Sequence, residues 1–144
     1  MNKSGVTLLV IATLIMGFTA IAHLSCIYFG PQCYSAQMAP PVIVESAKAK
    51  TLLAPLGTIF VSSIFLVLSA YALSGAGIVR KLPLLKLIVY GVGTLCIIRG
   101  ILPLQLWLRH QEEVSKFVLV VGVAWLIVGL CFIVGFRVAS TKRV

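Results

Sequence analysis

The chain has 144 residues, of which 60% are hydrophobic and only 10% charged, and its mean hydropathy is +1.13. A soluble domain carries about a quarter of charged residues and has no core large enough to hide that much apolar surface, so soluble enzyme classes are excluded. The formal net charge of +9 does not point to nucleic acid either, because every basic cluster flanks an apolar stretch.

A helix rises about 1.5 Å per residue, so crossing a hydrocarbon core of ~30 Å takes about 20 apolar residues. The first qualifying stretch is 6–28. Lys3, the apolar run and Ala20-Ile21-Ala22 imitate a secretory signal with its cleavage site, but the run is longer than the ~7 to 15 residues of a signal core. The segment therefore reads as a retained span. Thr19, His23 and Cys26 fall on one face of its outer half at i, i+4 and i+7.

The segment 29–51 is the one long loop. It holds Pro31, Pro40 and Pro41, and the run after Pro41 is expected to start a short interfacial helix that covers the outer mouth of the bundle. The second span, 52–74, carries Pro55, Thr58, Ser62 and Ser69 along one face. A short, basic loop leads to the third span, 84–108, which contains Arg99 and, four residues later, Pro103. Pro103 has no N–H to give to the Arg99 carbonyl, so a kink is expected there. The fourth span is 117–136, with Trp125 between Gly122 and Gly129 expected to pack inward against small residues. Short loops make consecutive spans antiparallel neighbours.

Orientation follows from the basic residues. One set of flanks holds Lys3, Arg80, Lys81, Lys86, Arg137, Lys142 and Arg143; the other holds Lys48, Lys50, Arg109 and Lys116 with all the acids, Glu45, Glu112 and Glu113. Both termini are expected in the cytoplasm. Tyr28, Phe29, Tyr34 and Trp107 then sit at the outer interface and Tyr71 at the inner one.

Ionisable groups inside spans are where function is sought, since each costs on the order of 2.5 to 3.5 kcal/mol even on a lenient insertion scale. Arg99 is one, and no span holds a carboxylate to pair with it. Kinks at Pro55 and Pro103 are expected to splay the bundle into an outward-opening pocket lined by His23 and Arg99, with Tyr28, Pro103 and Glu45 around it. The plainer alternatives are an arginine snorkelling to head groups, a histidine in structural hydrogen bonds, and a Ser/Thr and Gly stripe that only packs helices.

Cys26 and Cys33 lie near the outer face, and a disulfide between them is expected; Cys96 and Cys131 are mid-span and read as small apolar packers. A quinone-coupled thiol oxidase needs a second accessible pair, and the other outer loop has no cysteine. His23 and Cys26 at i, i+3 are too few ligands to define a metal site. There is no Asp, no nucleophile elbow, no H-E-x-x-H and no phosphate-binding glycine loop, so no catalytic residue, metal or cofactor is implied.

Ala22-His23-Leu24-Ser25-Cys26, Gly30-Pro31, Tyr34, Ala39-Pro40, Tyr71-Ala72-Leu73-Ser74-Gly75-Ala76-Gly77, Arg80-Lys81-Leu82-Pro83-Leu84-Leu85 and Arg99-Gly100 together resemble a family of small bacterial four-helix membrane proteins. The resemblance covers nearly the whole chain. It implies a multi-pass protein of the bacterial inner membrane and brings no catalytic residues.

The expected fold is all-α: a single polytopic domain over 1–144, with four transmembrane helices in an up-down bundle. The expected function is non-enzymatic binding of a small anionic ligand, a membrane lipid or a protein partner in the outward pocket. Two alternatives stand beside it: a thiol-disulfide or metal redox protein, and an immunity or assembly factor acting on a partner's transmembrane surface. A homo-oligomer or another membrane protein is the expected partner, and nucleic acid is not.

Overall fold

The computed structural model describes residues 2–110, 114 and 116–141. The protein is 84% helical, without strands among the described residues, and its four long apolar helices adopt a bundle-like packing. These are α1 (Lys3–Phe29), α4 (Leu53–Gly75), α5 (Leu85–Arg109) and α6 (Lys116–Ser140), with two short helices, α2 (Pro31–Ala36) and α3 (Pro41–Lys48), between the first pair. Even the shortest of the four, at 23 residues, is about 35 Å long and spans a bilayer core. Glu112, Glu113, Lys142 and Arg143, assigned to sides of the membrane above, lie outside the described residues.

Helix ends depart from the hydropathy boundaries for local reasons. α1 starts at Lys3 because the Asn2 side-chain oxygen accepts the Ser4 N–H at 3.1 Å, capping the first turn. α6 continues past 136 to Ser140, because buried Ala139 packs against Gly5 of α1. Within 29–51, Gly30 at φ +79° ends α1 and lets Pro31 open α2, so the expected single interfacial helix is a pair. α5 runs helical through Pro103, whose ring lies against Gly122, where an added Cβ would come within 3.2 Å.

The chain forms two compact units: Met1–Thr13 with Ala70–Val144, and Leu14–Ser69. In the first, α5 and α6 meet through glycines. A Cβ on Gly100 would lie 2.7 Å from the Gly122 carbonyl oxygen, and one on Gly129 would lie 2.7 Å from that of Gly93. The pairing 93 with 129 and 100 with 122 makes the two helices antiparallel, with backbones in direct contact. At one end of this unit Leu9, Gly75 and Phe136 converge. The connection there is pinned by Ser74, whose hydroxyl accepts the Leu82 N–H at 2.9 Å and donates to the Arg80 carbonyl at 3.1 Å.

In the second unit a small core of Cys26, Tyr34 and Ala54, joined by Ile43, Val44 and Ala47, holds α2 and α3 to the adjoining ends of α1 and α4. The Ser/Thr stripe of α4 is satisfied internally: Thr58 donates to the Ala54 carbonyl, Ser69 to that of Phe65, and Ser62 across to that of Ala20 at 3.2 Å. The Ser46 hydroxyl accepts the Ala54 N–H at 2.9 Å and so caps the first turn of α4.

Candidate functional site

The glycines fix which face of α5 is used up. Gly93, Cys96 and Gly100 are buried, which turns the opposite side outward. On that side Leu95, Arg99, Leu102 and Leu106 recur at spacings of four, three and four, the seam periodicity of packed helices. Leu95 is 67% exposed and Leu102 58%, and Arg99 is exposed between them.

Arg99 is two residues past the midpoint of the 25-residue α5. Ten residues separate it from Arg109, about 15 Å of helix, whereas an extended arginine side chain reaches roughly 7 Å. An extended side chain thus covers about half of the distance to the level of Arg109. Its ring partner is Trp125 of α6, with Arg99 Cζ 5.8 Å from the ring centroid. Such a contact is worth about 0.5 to 2 kcal/mol, less than the cost of a charge within the hydrocarbon, and among the described residues no carboxylate pairs with the guanidinium. Trp125 itself is half-buried, and Gly122 and Gly129 on the same helix admit the backbone of α5.

The other expected site residues have partners elsewhere. His23 stacks on Phe65 with ring centroids 5.5 Å apart and planes 2° from parallel. Gln37 Nε2 donates to the Ala22 carbonyl at 2.7 Å, tying α1 to the turn after α2. Glu45 pairs with Lys48 at 2.8 Å on an exposed turn. Tyr28 is 89% exposed, edge-on to Phe29, as an interfacial anchor would be. Cys26 and Cys33 form a disulfide that ties α1 to α2, while Cys96 and Cys131 are buried free thiols. His23, Tyr28 and Glu45 belong to the second unit, and Arg99 and Pro103 to the first.

Sequence reading missed Gln37 and the Tyr34–Thr58 hydrogen bond of 3.0 Å, because neither residue type is unusual where it stands. Trp125 carried the one usable signal, an aromatic ring out of place in mid-span, whose cation partner only the packing of α5 on α6 reveals.

The fold and the α5 face define a small multi-pass, all-helical membrane protein with a guanidinium exposed at mid-span. No family model matches the chain, and no curated protein or solved structure does. The resemblance to the bacterial four-helix family thus rests on the short motifs alone.

Proposed function

We propose that this protein is a non-enzymatic intramembrane binding module, whose α5 face packs against a transmembrane helix of a different membrane protein carrying a carboxylate at the depth of Arg99. The observation behind this reading is Arg99 itself: charged, exposed in a leucine seam, near mid-bilayer, in a chain whose spans contain no acid. A second copy of the chain would set guanidinium against guanidinium across the same seam, which disfavours a homodimer through this face. A lipid phosphate level with Arg109 is about 15 Å along the helix, beyond the reach of the side chain. A carboxylate on a partner helix satisfies the fork with two parallel, charge-assisted hydrogen bonds, and the flanking leucines supply shape. The setting is a bacterial inner membrane with both termini cytoplasmic. The activity is therefore assembly or inhibition of the partner, without chemistry on it.

The test uses a defined partner. Full-length protein in nanodiscs, labelled for energy transfer, is titrated with a polyleucine transmembrane helix bearing one central Glu, and with the same helix bearing Leu. Association with the Glu helix is expected to be about 5 to 30 times stronger, the range of an interhelical polar pair. Arg99→Leu should erase that preference and Arg99→Lys retain part of it. Equal association of both helices with the wild-type protein would refute the reading.

A further inference from the structure

At the end of the first unit remote from Arg109, a shallow open groove of about 300 Å³ lies between the start of α5 and the end of α6, lined by Lys86, Tyr90, Phe136, Arg137, Ser140 and Thr141. Lys86 is in the first turn of α5 and Arg137 in the last turn of α6, so the groove lies where the apolar spans give way to head groups. Its wall is the Tyr90 ring, edge-on to Phe136 with centroids 5.8 Å apart. Ser140 and Thr141 donate to the Phe136 and Arg137 carbonyls at 2.7 and 2.6 Å, which turns both hydroxyls back along α6. The first turn of α5, which contains Lys86, has no side-chain cap hydrogen bond. The one acid among the described residues, Glu45, belongs to the other unit and is paired to Lys48.

We propose that this groove is a binding site for a phosphoryl anion, held between Lys86 and Arg137 with its apolar extension against Tyr90 and Phe136. Two cations and an uncapped helix start, with no carboxylate beside them among the described residues, define a site for an anion; phosphate oxygens match the guanidinium fork of Arg137 and the point charge of Lys86. A phospholipid head group and free phosphate share this chemistry. The site stands apart from the Arg99 seam, and either can be wrong without the other.

Native mass spectrometry of the full-length protein, purified in mild detergent and supplied with phosphatidylglycerol or phosphatidylcholine, reads retained lipid directly. Retention of phosphatidylglycerol is expected to fall about tenfold or more in Lys86→Gln/Arg137→Gln, and to stay within about threefold in Arg80→Gln/Lys81→Gln, which removes the same charge at the same end. Circular dichroism checks folding of both variants. If the first pair fails to fold, amine labelling of wild-type protein decides, because a filled site shields Lys86 and leaves Lys81 reactive. Shielding by phosphatidylglycerol alone identifies a head-group site, and equal shielding by inorganic phosphate identifies a free-anion site. Equal losses in both pairs, no loss in a folded first pair, or no shielding of Lys86 by either probe overturns the proposal.

Discussion

Replacing Gly100 with alanine adds one methyl group where the backbones of α5 and α6 meet. The new Cβ would stand 2.7 Å from the Gly122 carbonyl oxygen, 2.7 Å from the Leu126 nitrogen and 2.8 Å from Leu126 Cβ. Two of these neighbours are backbone, so no rotamer change relieves them, and reaching even the 3.0 Å floor of real Cβ contacts moves the helices apart by 0.3 Å. The Gly93–Gly129 contact on the same seam loosens with it. Overpacking of this kind costs about 1 to 3 kcal/mol. Alanine also favours the helix by about 1 kcal/mol over glycine, which obscures the effect if this variant is measured alone. Gly91→Ala removes that ambiguity, because Gly91 is on the same helix and its Cβ would meet nothing within 4 Å. Both substitutions carry the same propensity gain, so their difference reports packing. Thermal unfolding in detergent should place Gly100→Ala roughly 3 to 10 °C below Gly91→Ala, at about 3 °C per kcal/mol for a chain of this size. Equal melting temperatures, or a lower one for Gly91→Ala, would refute the backbone contact between α5 and α6.

Two further outcomes are expected. Opening the Cys26–Cys33 bridge, which closes a short loop across a separation of 7, should lower stability by about 2.5 kcal/mol on loop-entropy grounds, read as a drop in melting temperature on adding reductant; no drop, with all cysteines alkylated in oxidised protein, would remove the bridge. Single cysteines at Ser4 and His110, both exposed, should show position 110 labelled by an impermeant reagent on intact cells and position 4 protected, and the reverse pattern would invert the topology.

The four spans were legible because the criterion is one-dimensional: a run of about 20 apolar residues has no soluble place to go, whatever packs beside it. The Ser74 and Asn2 interactions that set helix ends were not, since one hydroxyl or amide among many carries no periodic signal. The two-helix form of 29–51 was hidden for a related reason, as it turns on the positive φ of Gly30. Arg99 stood out from sequence alone because the bilayer makes any charge in a span conspicuous.

Which way Arg99 faces is a different kind of fact. Its direction is set by Gly93 and Gly100 on the other side of α5, and those glycines matter only because Gly129 and Gly122 arrive at matching heights on α6. The same antiparallel pairing sets Trp125 under the guanidinium and brings Lys86 beside Arg137, residues 51 positions apart that no local pattern connects. Sequence by itself determined that this chain has four segments long and apolar enough to cross a membrane, since partition into hydrocarbon is a property of each segment alone. Tertiary structure decided which charges meet, because that depends on the approach of two backbones, which only the absence of side chains at facing positions permits.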